Sequence, residues 1–258
     1  MSGKRFMPVP GDVVCVRMLE DGRTVVERIK PRGFTLERRS AVGRTKTMAA
    51  NVDLLVTVMA LANPPPRLVT LDQLLAFAEL EGVTPGIVLT KPDLGDPAQT
   101  AELTALYRGL GYPIVCVNPK TRENLAALRE LIRGRHAMLV GNSGVGKSTI
   151  FRALGGDAPV GDVSRHGLGR QTTTAGRLYR LDDGFLIDSP GINEFGLGSI
   201  DAQTLAGAFP EMSEPAVRCR FRDCTHLQEP GCAVQAEVGA GIAPSRYASY
   251  RKMLLEPS

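Results

Sequence analysis

The sequence predicts an α/β protein with a mostly parallel central sheet, a small β module before it and a cysteine-bearing segment after it. Three observations lead to this prediction. Apolar strand-like and amphipathic helix-like segments alternate from residue 52 onwards, and shorter strand-like segments separated by turn residues occupy residues 11–39. Strand-like segments stop beyond residue 191, where three of the five cysteines lie. We therefore expect three domains, at residues 1–48, 49–197 and 198–258.

The N-terminal β module is predicted from strand-like segments on either side of a turn at residues 20–22, with a second break at residues 31–33. The segment FTLERRS predicts a third strand. So few residues leave little room for a hydrophobic core.

The central sheet is predicted from the segments that follow Val52. The run VDLLVTVMAL is almost continuously apolar, as in a strand buried on both faces. Three prolines at residues 64–66 end it, and an amphipathic segment closed by Gly82 predicts the first helix. Strands GIVLT, PIVCV and AMLVG alternate with helices around AELTALYRGLG, ENLAALRELIRG and KSTIFRALGG. RLYRLDDGFLID predicts a hairpin with its turn at residues 182–184, and RYASYRKMLLE predicts a C-terminal helix.

Composition and charge narrow the class of protein. Hydrophobic residues make up 43% and charged residues 22% of 258 residues, which excludes a disordered, collagen-like or purely coiled-coil chain. The longest apolar run, residues 54–62, is shorter than the roughly 20 residues of a membrane span. The first ten residues lack the apolar region of a signal peptide. We expect a cytoplasmic protein with no membrane partner and with reduced cysteines.

The charge is unevenly distributed along the chain. Residues 1–50 hold 11 Lys and Arg against 5 Asp and Glu, whereas the remaining residues have a net charge of −2. A basic N-terminal portion favours contact with a polyanion. A solvated basic surface would give the same counts, so charge alone leaves both interpretations open.

A phosphate-binding loop follows the strand AMLVG. It matches G-x-x-x-x-G-K-[ST] and consists of Gly141, Asn142, Ser143, Gly144, Val145, Gly146, Lys147, Ser148 and Thr149. The backbone N–H groups of such a loop, and the start of the helix after it, surround phosphates. Lys147 is predicted to neutralise the β- and γ-phosphates, and Ser148 to bind Mg²⁺ through its hydroxyl. A glycine-rich turn without a ligand is the alternative, which the flanking strand and helix disfavour.

A second segment indicates which base is bound. Thr90, Lys91, Pro92 and Asp93 follow the strand GIVLT and are similar to the N/T-K-x-D element of GTPases. A carboxylate at Asp93 can accept hydrogen bonds from N1–H and the N2 amino group of guanine, and adenine has no such pair of donors. The alkyl part of Lys91 can cover the plane of the base. An aspartate that caps a helix is the alternative interpretation.

Two further segments are similar to the switches of GTPases. Residues 188–191 read DSPG, a pattern in which Asp188 would hold Mg²⁺ through water and the Gly191 N–H would meet the γ-phosphate. Residues 171–174 read QTTT. By analogy, Thr173 is predicted to complete the Mg²⁺ shell, with Thr172, Thr174 or an ordinary loop as alternatives.

These segments occur in a permuted order. Ordinary GTPases have the phosphate loop first and the base-reading segment near the end, whereas here residues 90–93 precede residues 141–149 and both switch-like segments follow. We interpret the domain as a circularly permuted P-loop GTPase. The chain then runs from the second switch directly into the cysteine-bearing segment, so movement of Gly191 on loss of the γ-phosphate would pull on that segment.

Four potential metal ligands are clustered near the C-terminus. Cys219, Cys224, His226 and Cys232 have the spacing C-x₄-C-x-H-x₅-C. Three thiolates and an imidazole suit tetrahedral Zn²⁺, and four protein ligands leave no open position for catalysis. The spacing predicts one structural zinc site, against the alternative of coincidentally placed thiols.

Together these residues resemble the ribosome small-subunit-dependent GTPase A family, which comprises circularly permuted GTPases of bacterial small-subunit maturation. The shared features are TKPD, GNSGVGKST, QTTT, DSPGINEFGL, the cysteine spacing and the ANVD segment at residues 50–53. The resemblance implies an N-terminal OB-fold, a central GTPase domain and a zinc domain. It also implies GTP and GDP as ligands, Mg²⁺ with the nucleotide, rRNA contacts and hydrolysis stimulated by the small ribosomal subunit. We expect a monomer.

The chain departs from the family pattern in three places. Ten residues precede Gly11, so the OB-like module is expected to be shortened or closed by another element. Gln171 stands where the family has a histidine, so the role of that histidine is not transferred unchanged. The guanine-capping loop contains Pro119, which has no N–H for guanine O6, so the N–H of Asn118 or Lys120 is expected to serve.

Two hypotheses of function follow. In the first, the chain is a slow GTPase that assists late maturation of the small subunit. Ile192 follows DSPG where many GTPases have a catalytic glutamine, and an apolar side chain cannot orient water, so turnover should depend on the subunit. Lys147, Gln171 and Thr173 are then the candidate catalytic residues. In the second, the chain is a nucleotide-gated rRNA-binding module in which hydrolysis is incidental. Asp93 and the DSPG segment disfavour a P-loop ATPase or kinase.

Overall fold

The computed structural model describes residues 8–39, 45–155, 161–162, 177–181, 184–188, 197 and 200–256. Its strands, in chain order, are β1 (Val14–Met18), β2 (Thr24–Ile29), β3 (Thr35–Arg39), β4 (Thr45–Ala50), β5 (Leu54–Ala60), β6 (Thr84–Thr90), β7 (Ile114–Val117), β8 (His136–Val140), β9 (Gly161–Asp162), β10 (Arg177–Leu181) and β11 (Gly184–Asp188). Its helices are α1 (Leu68–Glu81), α2 (Pro97–Gly109), α3 (Leu125–Ile132), α4 (Lys147–Ala153), α5 (Ala202–Gly207), α6 (Pro210–Val217), α7 (Ala233–Ala236) and α8 (Pro244–Leu255).

A seven-stranded sheet with the order β7-β6-β5-β8-β11-β10-β9 forms the centre of the molecule. Strands β7, β6, β5, β8 and β11 are parallel, and β10 is antiparallel to both of its neighbours. All seven residues of β5 are buried, as its continuous apolar run predicts. The mostly parallel sheet and the β10–β11 hairpin are therefore confirmed.

Helices cover both faces of this sheet. On one face Val56 and Val58 of β5 pack with α3 and α4, and on the other Leu55 packs with Leu74 and Phe77 of α1. Helix α1 ends at Gly82, whose φ of 70° lies in the left-handed region that glycine adopts without strain. No helix in the described part of the chain has the length and apolar character needed to cross a bilayer.

The N-terminal residues form two antiparallel hairpins, β1–β2 and β3–β4, in separate sheets. Strand β4 was not predicted from the sequence. The second hairpin buries Leu36 and Ala49 against the central sheet, whereas Met18 of the first hairpin is 75% exposed. Among the described residues no strand pairing joins the hairpins into a closed barrel. The second hairpin therefore gains its packing from the central sheet and not from a barrel core.

A buried ion pair joins the C-terminal segment to the central domain. The guanidinium of Arg246 in α8 donates to Asp72 in α1 at 2.6 Å and to Glu211 in α6 at 2.7 Å. Its Cζ lies 4.4 Å from the centre of the Phe209 ring, and Tyr107 donates to Asp72 at 2.7 Å. Burial alone would lower the pKa of Arg246, but the attraction of the two carboxylates holds it above its ordinary value. The segment that carries the metal-ligand cluster is thus fixed to α1.

Replacement of Arg246 by methionine should destabilise the fold strongly. Asp72 and Glu211 would keep their buried positions without a counter-charge, and removal of one partner from a buried pair costs about 3–5 kcal/mol. We expect a loss of this size in the free energy of unfolding measured with urea. The control is Arg251→Met in the same helix, where the side chain is exposed. It should cost less than about 0.5 kcal/mol. Equal losses in the two variants would contradict the assigned role of Arg246.

Candidate nucleotide and metal sites

The predicted nucleotide-binding segments meet at one edge of the sheet. Thr90 ends β6, Gly141 follows β8 and Asp188 ends β11. Because β6, β5, β8 and β11 are adjacent and parallel, their carboxyl ends lie along the same edge. Ligands of open α/β sheets bind at this edge. Segments that are about 100 residues apart in sequence are therefore brought to one edge of the sheet.

The phosphate loop has a backbone conformation that requires glycine. Gly141 has a φ of 147°, and a Cβ atom there would lie 2.1 Å from the carbonyl oxygen of Val58. Gly146 has a φ of 104°, and α4 begins at the next residue. The loop thus lies against the end of β5 with no room for a side chain at its first position.

Lys147 is folded back on its own loop. Its Nζ donates to the carbonyl oxygens of Gly141 at 2.5 Å and Asn142 at 3.0 Å. Burial lowers the pKa of Lys147, and the nearby carboxylate of Asp188 partly opposes this shift. An anion bound in the loop would therefore interact strongly with the Lys147 ammonium, because this group has already lost part of its hydration.

The TKPD segment, residues 90–93, is hydrogen-bonded to the phosphate loop. The buried hydroxyl of Thr90 donates to the carbonyl oxygen of Val145 at 2.5 Å. Lys91, with a left-handed φ of 58°, donates to the carbonyl oxygens of Asn63 and Gly144, the latter at 2.8 Å. These bonds fix the separation between the TKPD segment and the phosphate loop.

Asp93 does not cap a helix. It lies in a single 3₁₀ turn, Pro92–Leu94, and the residue that caps α2 is Asp96, whose carboxylate accepts from the Ala98 N–H at 2.8 Å. The exposed carboxylate of Asp93 instead accepts from Nδ2 of Asn118 at 2.9 Å. This removes the alternative interpretation of Asp93 and leaves its carboxylate available to a ligand.

The expectation about the guanine-capping loop does not hold in this structure. The N–H of Asn118 donates to the carbonyl oxygen of Glu123 at 3.2 Å, and the N–H of Lys120 donates to Oδ1 of Asn118 at 3.1 Å. Pro119 between them has no N–H. Both N–H groups proposed for guanine O6 are thus used within the loop, because the Asn118 side chain closes it as a turn.

Several predicted site residues lie outside the described part of the chain. These are Gln171, Thr172, Thr173 and Thr174 of the first switch-like segment, and Ser189, Pro190, Gly191 and Ile192 of the second. Of the switch residues, the structure places Asp188 at the end of β11.

The four predicted metal ligands come together. Their ligand atoms all lie within 4.8 Å of one another. Nδ1 of His226 is 3.6 Å from Sγ of Cys219 and 3.5 Å from Sγ of Cys232, and these two sulfurs are 3.9 Å apart. A tetrahedral zinc site has edges of about 3.8 Å between sulfurs and about 3.5 Å between sulfur and nitrogen. The donor set and its spacing thus fit a metal ion of this size.

Groups around the cluster hold the ligand loop in place. Glu229 accepts from the N–H groups of Thr225, Leu227 and Gln228 and from the Thr225 hydroxyl. Burial opposes ionisation of Glu229, but these hydrogen bonds outweigh it and lower its pKa to about 2. Tyr247 donates to the carbonyl oxygen of His226 at 2.6 Å. The loop is therefore shaped by hydrogen bonds that do not depend on the ligand atoms.

Comparisons with known proteins agree on one family. The sequence matches the RsgA GTPase family over residues 29–198. It is 40% identical to the small ribosomal subunit biogenesis GTPase RsgA of Haemophilus influenzae strain 86-028NP, over 95% of this chain and 74% of that protein. Identity to the protein of the same name from Pseudomonas aeruginosa strain LESB58 is 42%, over 95% of this chain and 75% of that protein.

Two solved structures are similar to this one over nearly the whole chain. The structure is similar to the crystal structure of YjeQ from Thermotoga maritima, with a TM-score of 0.74 and 31% identity over 97% of this chain and 86% of that chain. It is also similar to that of YloQ, described as a circularly permuted GTPase, with a TM-score of 0.73 and 27% identity over 99% of this chain and 82% of that chain. The chain belongs to the RsgA GTPase family.

Proposed function

We propose that this protein is a GTPase that binds the small ribosomal subunit and assists its late maturation, with slow intrinsic turnover that the subunit stimulates. The observation that carries the proposal is the arrangement of Asp93 and the phosphate loop, which are permuted in sequence but lie around one sheet edge. The relatives that share this sequence are named small ribosomal subunit biogenesis GTPases. The proposal places the protein in the cytoplasm as a monomer.

GTP is proposed to extend from the phosphate loop to the TKPD segment. The bonds from Thr90 and Lys91 to the loop support this placement, because they hold the base and phosphate sites at a fixed separation. Asp93 would accept from the guanine N1–H and N2 amino groups. The proposed GTP-binding residues are Thr90, Lys91, Pro92, Asp93, Gly141, Asn142, Ser143, Gly144, Val145, Gly146, Lys147, Ser148, Thr149, Asp188 and Gly191.

Hydrolysis is proposed to depend on charge neutralisation at the phosphates. The Lys147 ammonium would exchange the carbonyl oxygens of its own loop for phosphate oxygens. Ser148 and Thr173 would hold Mg²⁺, with Asp188 acting through water, and the ion when bound neutralises charge on the β- and γ-phosphates. Gln171 is proposed as the further catalytic residue. With Ile192 after DSPG, orientation of the attacking water is left to a partner.

The Cys₃His cluster is proposed to hold one structural Zn²⁺. Three thiolates and an imidazole at these ligand-to-ligand distances support zinc, and four protein ligands leave no position for substrate.

The small subunit is proposed to be bound through rRNA phosphates, in part by the basic residues 1–50.

The test of the proposed function is GTP turnover with purified small and large ribosomal subunits. We expect small subunits to raise turnover well above the intrinsic rate and large subunits to have little effect. Tight GTP-dependent binding to small subunits without stimulation would instead favour the nucleotide-gated rRNA-binding module. Equal effects of both subunits would contradict assignment to the small subunit.

Asp93→Asn should weaken GTP binding by about a hundredfold or more, because two hydrogen bonds to a charged acceptor contribute about 1.5–3 kcal/mol each. Preference should shift towards xanthosine triphosphate, whose C2 oxygen can accept from the new amide. Titration with both nucleotides measures the change. Asp96→Asn, next to the same segment, is the control and should leave both affinities near those of the wild type. Unchanged GTP affinity in Asp93→Asn would refute the assignment.

Cys224→Ser should remove bound zinc and loosen the C-terminal segment while GTP binding remains largely intact, because the nucleotide-binding loops lie upstream of the cluster. Zinc content per protein and protease sensitivity of the C-terminal segment are the measurements. Cys15→Ser, a half-buried thiol outside the cluster, serves as control and should keep full zinc content. Freshly purified wild-type protein without zinc would rule out the site.

Neutralisation of Arg38 and Arg39 in β3 should weaken subunit binding and stimulated turnover, and leave intrinsic hydrolysis unchanged. For each rRNA phosphate that the variant no longer binds, the log–log salt dependence of binding should fall by about 0.7–0.9. The measurement is turnover against subunit concentration at two salt levels. A variant with Arg108 and Arg133 replaced by glutamine removes the same charge from exposed positions of the central domain. If both double variants behave alike, the role assigned to the basic N-terminal residues is wrong.

A further inference from the structure

Residues 118–121 of the loop after β7, which would face guanine O6, offer no free backbone N–H group. Pro119 has no N–H, and the N–H groups of Asn118, Lys120 and Thr121 all donate within the loop, to Glu123 O and to Oδ1 of Asn118. Guanine O6 is an acceptor on the same edge of the base as N1–H and N2. A site that reads guanine through Asp93 alone would leave this acceptor without a partner.

The side chain of Asn118 offers the missing donor. It is 5% exposed, and its Oδ1 is occupied by the loop N–H groups of Lys120 and Thr121. This fixes which end of the amide is the NH₂ group, because the opposite orientation would place two donors against each other. One hydrogen of this NH₂ group is donated to Oδ1 of Asp93 at 2.9 Å. The second finds no acceptor among the described residues.

The guanine edge presents, in order, the acceptor O6, the donor N1–H and the N2 donor. The complementary protein edge must present a donor followed by two acceptors. Nδ2 of Asn118 and the two carboxylate oxygens of Asp93 supply this order, because the amide nitrogen is hydrogen-bonded to one end of the carboxylate. We infer that Asn118 is a specificity-determining residue whose second amide hydrogen binds guanine O6, in place of a backbone N–H.

The inference rests on the proposed function, since it assumes that guanine binds at Asp93. Adenine carries an amino group where guanine has O6, so the Asn118 NH₂ group would face another donor and reject it. Asn118 therefore reads the 6-position of the base, whereas Asp93 reads N1 and N2.

Two nucleotide analogues separate this role from a merely structural one. 6-Thio-GDP keeps N1–H and the N2 amino group but replaces O6 with sulfur, a poorer acceptor. IDP keeps O6 and lacks the N2 amino group. We expect wild-type protein to bind GDP about three- to tenfold more tightly than 6-thio-GDP, the value of one neutral hydrogen bond. A wild type that binds both equally would overturn the inference without any variant.

Asn118→Ala should bring the GDP to 6-thio-GDP affinity ratio close to one. If Asn118 only holds Asp93 in place, the variant would bind both nucleotides more weakly by the same factor, and the ratio would stay at its wild-type value. That result would overturn the inference.

Asn118→Ser keeps a hydroxyl that can donate to Asp93 but has no second hydrogen. In Asn118→Ser, the ratio of GDP to IDP affinity should equal that of the wild type, because Asp93 is still held in place. The ratio of GDP to 6-thio-GDP affinity should stay close to one, because no donor faces O6.

The matched control is Asn124→Ala. Asn124 belongs to the same loop, and its amide donates to the carbonyl oxygen of Cys116 at 2.9 Å. Loss of that bond perturbs the loop without removing the NH₂ group beside Asp93, so both affinity ratios should stay at their wild-type values.

A wild type with no preference for GDP over ADP would refute the proposed function itself. A guanine-specific wild type whose 6-thio ratio survives in Asn118→Ala would refute only the role of Asn118.

Discussion

The guanidinium of Arg246 is the group on which the arrangement of the C-terminal segment depends. It lies between carboxylates from α1 and α6, and Tyr107 of α2 donates to one of them. Such a buried pair contributes little net stability compared with apolar packing, because both charges lose their hydration. A register shift of α8 would leave three charges buried without partners, which disfavours other positions of this helix. The central domain and the metal-ligand cluster are thereby held in one orientation.

Helix α1 and the loop before it contact both the TKPD segment and the C-terminal segment. Asp72, the partner of Arg246, lies in the first half of α1, and the loop before α1 includes Asn63, whose carbonyl oxygen accepts from Lys91. At the other end, Tyr247 and Tyr250 of α8 donate to backbone carbonyls of the metal-ligand loop. Hydrogen bonds therefore link the loop before α1 to the TKPD segment, and α1 to α8 and, through α8, to the metal-ligand loop. The permuted order adds a covalent connection, because β11 is followed in sequence by the C-terminal segment.

Much of the central sheet could be predicted from the sequence, since β5, β6, β7 and β8 are short apolar runs that can be recognised without knowledge of the segments they pair with. Strand β4 could not, because Thr45–Ala50 shows no apolar alternation and becomes a strand only by pairing with β3 and burying Ala49 and Ala50. Helices α5, α6 and α7 were missed for a related reason. They have between four and eight residues and, unlike the equally short α3 and α4, no neighbouring strand-like segments that would mark them as connecting helices.

The same distinction, between local patterns and contacts made only in the fold, separates the residues that could be predicted from those that could not. The phosphate loop and the metal ligands are recognisable because their chemistry depends on residue types at fixed local spacings. Arg246 and Asp72 are 174 residues apart, and each resembles an ordinary surface charge until the fold brings them together.

Asn118 is an intermediate case. Its neighbour Pro119 signals in the sequence that a backbone donor is missing. The replacement donor becomes visible only when the loop closes on Oδ1 and leaves Nδ2 beside Asp93. A departure from a motif is thus most informative where the structure shows a neighbouring group that can take over the missing hydrogen bond.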